Sequence, residues 1–168
     1  MQRSWSEPLP YDLSRTINRA SVPRSSETKV PELPGTYVVF LTGEKKPEEA
    51  ILDVGECGPR NRSKPCGLRA RIASSVTHSA SEKIASDIRG HRLTGDFRVI
   101  WRTAESKQDA KFVQDALITL FRREFSRQPR YNSRPENCAR PELFEPDYIA
   151  LKTLVISLEK GNGVRSKH

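Results

Sequence analysis

The chain has 168 residues, and 29 lysines and arginines against 21 aspartates and glutamates give it a net charge of +8. This length suits one domain with extensions and is enough to bury a sizeable core. No apolar run approaches the roughly 18 residues that span a bilayer, and the first residues lack the apolar region of a secretory signal, so we expect a cytoplasmic protein without a membrane partner. Three cysteines without a Cys-x-x-Cys pair argue against a disulfide scaffold or a standard zinc site.

The first half of the chain predicts a polar lead-in followed by a β-hairpin. Residues 1–33 are rich in proline and polar side chains, with one short helix predicted over 12–20. The β-branched and aromatic run over 36–41 predicts a buried strand, and 50–55 predicts a second one. Because only a short polar link separates them, we expect the two strands to pair as an antiparallel hairpin.

The second half of the chain predicts helices around one further strand. Apolar residues at helical spacing predict helices over 68–76 and 109–125, and the stop signals Gly90 and Gly161 support two more, over 79–89 and 147–160. The alternating run over 97–103 predicts the third strand. The fold class is therefore α+β, with a small three-stranded antiparallel sheet flanked by helices. The chain divides into a lead-in over 1–33, a domain over 34–134, and a linker, terminal helix and polar tail over 135–168.

Positive charge is concentrated in two short windows. Residues 59–71 contain five bases and no acid, and residues 122–134 contain five arginines against one glutamate. Arginine suits phosphate because its planar guanidinium makes two parallel hydrogen bonds to phosphate oxygens. The windows therefore favour a nucleic-acid partner, and a solvated basic surface is the alternative. The candidate phosphate contacts are Arg60, Arg62, Lys64, Arg69, Arg122 and Arg130.

Five short motifs follow one another in an order that matches a known family. They are Pro34-Gly-Thr-Tyr37, Asp53-Val-Gly55, Leu68-Arg-Ala-Arg71, the helix segment from Ala110 through Gln114 to Ile118, and Pro129-Arg-Tyr-Asn132. With these residues on these elements, the region over 33–132 resembles the GIY-YIG nuclease domain. The resemblance implies cleavage of a DNA phosphodiester with one divalent metal, Mg²⁺ or Mn²⁺. It also implies Tyr37, Arg71 and Asn132 as the catalytic residues.

The acidic residues differ from the family pattern. Asp53 stands where the family has its second tyrosine, Glu56 follows the glycine of that motif, and Gln114 replaces the metal-binding glutamate. A neutral amide binds Mg²⁺ far more weakly than a carboxylate does. Asp115 points away from the sheet, towards a wetter side, and does not replace it. Asp53 and Glu56 in one cleft would supply a metal site with Gln114, and a solvated pair of strand-end acids is the alternative.

Three functions remain open at this level. The first is a divergent GIY-YIG-like endonuclease acting on DNA with weakened activity and a divalent metal. The second is a catalytically inactive nucleic-acid-binding module of the same fold, which needs no cofactor. The third is a protein-interaction module that uses the long helix and the terminal helix.

Overall fold

A four-stranded antiparallel sheet forms the centre of the computed structural model, which describes residues 4–12, 21–59, 67–73 and 79–158. Its strands are β1 (Leu9–Pro10), β2 (Gly35–Leu41), β3 (Ile51–Cys57) and β4 (Phe97–Thr103), in the spatial order β1-β4-β2-β3. The α+β class and the antiparallel hairpin are confirmed, but the count of three strands was wrong. The fourth strand, β1, comes from the lead-in and pairs with the free edge of β4. β1 has only two residues, one of them a proline, so it has no alternating sequence pattern and only its pairing with β4 defines it as a strand.

Five helices surround the sheet within the described residues. They are α1 (Pro47–Ala50), α2 (Leu68–Ile72), α3 (Ser79–Arg89), α4 (Lys107–Phe125) and α5 (Glu145–Ser157), with 3-10 turns at Arg24–Lys29 and Pro141–Phe144. The short polar link of the hairpin contains α1. The predicted ends at 74–76 and 159–160, and nearly all of the predicted helix over 12–20, lie outside the described residues. None of the described helices is long and apolar enough to cross a membrane.

The long helix α4 has clear start and stop signals. Ser106 caps its beginning, because its hydroxyl accepts a hydrogen bond from the backbone N–H of Asp109 at 3.1 Å. Ser126 follows its last residue in the left-handed conformation, with φ of 57°, and its N–H bonds back to the carbonyl of Arg122. The helix therefore begins two residues before the predicted start and ends at the predicted residue.

Alternating side chains on β2 divide the core into two faces. We call one the α2/α3 face, where Tyr37 and Val39 join the apolar cluster that contains Leu68 of α2 and Ile84 of α3. The other is the α4/α5 face, whose apolar cluster is formed by Val38, Phe40, Leu117, Ile118, Leu151 and Val155 with their neighbours. Both faces are covered, so the sheet is buried on each side, and this explains why β2 is buried throughout.

A β-bulge in β3 sets which side chains face α2 and α3. The register passes from Val39 opposite Asp53 to Phe40 opposite Ile51, so Leu52 is the extra residue. Leu52 packs in the cluster of the α2/α3 face, while Ile51 packs on the α4/α5 face. Asp53, opposite Val39, is therefore turned towards the α2/α3 face as well.

The outer edge of β3 is closed by the segment after α4. The side chain of Asn132 accepts a hydrogen bond from the Val54 N–H at 2.9 Å and donates one to the Val54 carbonyl at 2.7 Å. The N–H of Tyr131 donates to the carbonyl of Leu52, the bulge residue, at 2.9 Å. An exposed strand edge invites pairing with other chains, and these contacts cover that edge while fixing the bulge.

We expect Asn132→Ala to lower the free energy of unfolding by about 1–3 kcal/mol, because both backbone groups of Val54 lose their partner. Urea denaturation of the purified protein measures the change. The neighbouring exposed change Ser133→Ala is the control. Equal unfolding midpoints for Asn132→Ala and Ser133→Ala would contradict a structural role for this amide.

Candidate functional site

Tyr37 crosses over Gly55 towards Arg71. Tyr37 and Gly55 are opposite each other in the β2–β3 register, and a Cβ atom at position 55 would lie 2.2 Å from the Tyr37 hydroxyl oxygen. Only glycine leaves space for the ring at this point. Arg71 approaches from α2, which is anchored on the same face by Leu68 and Ile72. The motifs on β2, β3 and α2 are thereby brought to one place.

The polar groups of this site form a hydrogen-bonded chain. The Tyr37 hydroxyl donates to the carboxylate of Asp53, and the guanidinium of Arg71 donates to the Tyr37 oxygen. Tyr37 and Asp53 are buried, with 1% and 3% of their surface exposed, and Arg71 is half-buried. Asp53 Oδ2 and Arg71 Nε are buried without a hydrogen-bond partner within the described part of the chain.

The environment decides which of these groups carries charge near neutral pH. Burial, with the Asp53 carboxylate adding to it, raises the pKa of Tyr37 well above its ordinary value. Burial also raises the pKa of Asp53 to about 6, although Arg71 and the Tyr37 hydroxyl favour its charged form. Burial lowers the pKa of Arg71, but Tyr37, Cys57 and Glu56 outweigh this effect and the net pKa is raised. Tyr37 thus stays protonated and Arg71 charged, while Asp53 changes charge close to neutrality.

Glu56 belongs to the opposite side of the sheet from Asp53. It is paired in register with Thr36, whose hydroxyl donates to the Ala110 carbonyl of α4 at 2.8 Å. Its Oε1 is 3.8 Å from the Nζ of Lys107, the first residue of α4. Residues three apart in a strand face opposite ways, so Asp53 and Glu56 do not share one cleft.

Gln114, the remaining predicted metal ligand, contacts Asp115 by a side-chain hydrogen bond on α4. The structure therefore does not gather Asp53, Glu56 and Gln114 into one set of donors. Within residues 4–12, 21–59, 67–73 and 79–158, no group of three or more His, Cys, Asp or Glu side chains has the arrangement of a metal site. The donors present do not fit the divalent metal that the resemblance implies, and no step is assigned to one.

Asp115 was expected on the wetter side of α4, and this was wrong. It is 9% exposed, because the segment around Glu136 covers it. The Nζ of Lys111 lies 3.0 Å from the Asp115 carboxylate and also reaches Glu136 at 3.3 Å. The polar, proline-rich sequence over 135–140 gives no sign that it packs on the helix.

The predicted phosphate contacts are dispersed. Arg69 binds the Val30 carbonyl and Glu32, whereas Arg122 binds the Glu136 carbonyl and the Asn137 side chain. Arg60, Arg62 and Lys64 lie outside the described residues. The side-chain amide of Asn132, a catalytic candidate, hydrogen-bonds the backbone of Val54 at the edge of β3, so it supports the strand that carries Asp53.

Sequence reasoning missed Asp87 on α3 as an organising group. Its carboxylate receives hydrogen bonds from the Tyr131 hydroxyl at 2.7 Å, from Arg92 at 2.8 Å and from Arg130 at 3.2 Å. The hydrogen bonds from Tyr131 and Arg92 hold its pKa below the ordinary value. Arg130, a predicted phosphate contact, thus ties the segment after α4 to α3. A lone aspartate in an amphipathic helix gives no sequence signal for such a role.

Chemically, the site combines a buried acid that titrates near neutrality with a half-buried guanidinium that stays charged. Such a cation suits a phosphate oxygen, because a guanidinium makes short, charge-assisted hydrogen bonds to it. Comparison of the chain with protein-family models, with curated proteins and with solved structures found no match. The function is therefore argued from the residues of this site.

We expect Gly55→Ala to destabilise the protein by about 1–3 kcal/mol, because the new Cβ collides with the Tyr37 ring. Gly90→Ala is the matched control, since a Cβ there first meets the flexible end of Arg92. Thermal unfolding followed by circular dichroism measures both. A Gly55→Ala variant as stable as Gly90→Ala would show that Tyr37 does not occupy this position.

The raised pKa of Asp53 predicts a stability that falls as pH rises. The folded protein holds the Asp53 proton more tightly than the unfolded chain, so this contribution is complete below about pH 4 and is lost as pH passes 6. From pH 4 to pH 7 the free energy of unfolding of the wild type should drop by about 3 kcal/mol relative to Asp53→Asn. Urea denaturation across this range tests it, with exposed Glu105→Gln as control. Parallel pH profiles for wild type and Asp53→Asn would contradict the prediction.

Proposed function

We propose that the protein is a nucleic-acid-binding domain of GIY-YIG-like arrangement in which Arg71 contacts phosphate. The observation that carries the proposal is the state of Arg71. Tyr37 holds its guanidinium in place, the net pKa of Arg71 is raised, and the residue is only half-buried. A fixed, charged guanidinium that is not fully buried suits an anionic ligand with planar, bidentate geometry.

The overall charge supports the same partner. The net charge of +8 includes ten basic residues in the two windows over 59–71 and 122–134, which together contain one acid. Contacts between such bases and phosphates release counterions, and this release supplies most of the sequence-independent affinity for nucleic acid. DNA is the nucleic acid that the resemblance implies.

A divergent nuclease acting on DNA phosphodiesters is the second candidate. One observation favours it: Asp53, which titrates near pH 6, is hydrogen-bonded to Tyr37 beside the Arg71 cation. A proton-transfer group and a fixed positive charge are two of the parts that phosphodiester hydrolysis uses. Binding is placed first, because Asp53, Glu56 and Gln114 are not gathered into a metal site.

We expect Arg71→Ala to weaken binding to a labelled DNA duplex by about tenfold or more, because a charge-assisted contact is lost. The slope of log affinity against log salt should fall by about 0.9, the value for one phosphate contact. Fluorescence anisotropy at several salt concentrations measures both, with exposed Arg24→Gln as the matched control and Arg71→Lys as the conservative variant. Affinity that does not change with salt would refute the proposal and favour a protein-interaction module.

Incubation with supercoiled plasmid and Mg²⁺ or Mn²⁺ separates the two candidates. Binding without nicking supports the first. Nicking that Arg71→Ala and Asp53→Asn abolish supports the second. Equal nicking by wild type and Arg71→Ala would remove Arg71 from any cleavage chemistry.

A further inference from the structure

Two adjacent cavities lie along the side of α4 that faces away from the sheet. The first, about 510 Å³, has a mainly apolar lining that includes Phe112, Leu143 and Phe144. The second, about 450 Å³, is polar and is lined by Arg122 and Arg123 among others. Asn137 and Cys138 border both cavities, so the two lie next to each other.

The helix itself arranges these groups in a line. Phe112, Asp115, Thr119, Arg123 and Ser126 follow at spacings of three or four residues, which places them on one side of α4. Asp115 and Thr119 are buried beneath the segment that includes Glu136 and Cys138, so Phe112 and Arg123 are exposed on either side of that segment. With a rise of about 1.5 Å per residue, they are about 16 Å apart along the helix, a distance that a strand crossing the segment spans with up to about five nucleotides.

The first cavity offers an aromatic surface that the fold leaves open. The side chain of Phe112 is 50% exposed and that of Leu143 is 58% exposed, although both are large and apolar. Phe144 lines the same cavity from the turn that precedes α5. Every nucleobase has a flat face, and stacking on such a side chain is tolerant of sequence.

The second cavity offers oriented positive charge. The guanidinium of Arg122 is held by the Glu136 carbonyl at 3.1 Å and by Asn137 Oδ1 at 3.3 Å. Arg123 is exposed and forms no ion pair within the described residues. The nearest acid in sequence, Glu124, is engaged by Lys152 at 2.7 Å and by Tyr148 at 2.8 Å.

Arginines in the last turn of a helix also interact favourably with the partial negative charge at its C-terminal end. That effect accounts for the charge of Arg122 and Arg123, but not for an open aromatic cavity beside them. A ligand that is flat and apolar at one point and anionic at the next matches both cavities at once. A nucleotide unit has this composition.

We propose that this side of α4 binds an unpaired nucleic-acid segment, with bases against Phe112 and phosphates on Arg122 and Arg123. The inference rests on the proposed nucleic-acid binding and specifies its target, because bases in a duplex are stacked on each other and cannot reach Phe112. Duplex contact at Arg71 and strand contact at α4 are separate surfaces, since Arg71 lies on the α2/α3 face of the sheet.

The test uses a labelled oligothymidine of about 12 nucleotides, within the usual site size of single-strand-binding surfaces. Phe112→Ala should weaken its binding by about tenfold without changing the salt slope, because stacking involves no counterion. Arg123→Gln should lower that slope by about 0.7, the value for one phosphate of a single strand. Ile156→Ala and Arg24→Gln, both at exposed positions, are the matched controls, and circular dichroism verifies folding.

An abasic strand of the same length provides the second arm, and its affinity should not respond to Phe112→Ala. Wild-type affinity in both α4 variants, with weakened duplex binding by Arg71→Ala, would overturn this inference and leave the proposed function intact. A wild type that binds the duplex but not the oligothymidine would also overturn this inference, whereas a wild type that binds neither would overturn the proposed function itself. Thymidine monophosphate that competes as well as the oligonucleotide would identify a free nucleotide as the ligand and overturn strand binding.

Discussion

The buried carboxylate of Asp53 is the constraint on which the rest of the α2/α3 face depends. A carboxylate inside an apolar core is costly unless hydrogen bonds and an opposite charge compensate for it. Tyr37 supplies the hydrogen bond and Arg71 the charge. Arg71 reaches the sheet only if α2 is packed there, and Tyr37 reaches Asp53 only if position 55 has no side chain. Helix packing, glycine placement and the polar site are therefore one arrangement.

The same constraint explains the segment that follows α4. Asp53 faces α2 because Leu52 forms a bulge, and β3 is an edge strand whose outward backbone groups have no neighbouring strand. Tyr131 and Asn132 bind those edge positions, so the closing motif that resembles a catalytic element supports β3. Because Tyr131 and Asn132 fix the strand that carries Asp53, they also fix the position of its carboxylate.

Local sequence signals predicted the elements better than the arrangement of charges. The β-branched run of β2 and the helical period of α4 gave these elements to within two residues, and the motif order brought Tyr37, Asp53 and Arg71 together. The strand β1 escaped prediction because its pairing with β4 is purely tertiary. The burial of Asp115 was not predicted for the same reason, since the polar segment that covers it has no hydrophobic pattern in its sequence. The prediction that Asp53 and Glu56 share one cleft was wrong, because side chains of a pleated strand alternate between the two faces of the sheet.

The glutamine at position 114 bears on the roles of the two sides of α4. Because α4 presents no carboxylate there, its sheet-facing side is used mainly for apolar packing through Leu117, Ile118 and their neighbours. Its opposite side holds Phe112 and the arginine pair, and the acids there, Asp115 and Glu136, are paired with Lys111. The sheet then separates an acid–cation site from an aromatic and basic surface. The two proposed phosphate contacts, at Arg71 and at the arginine pair, need no metal, and this favours binding over cleavage as the proposed function.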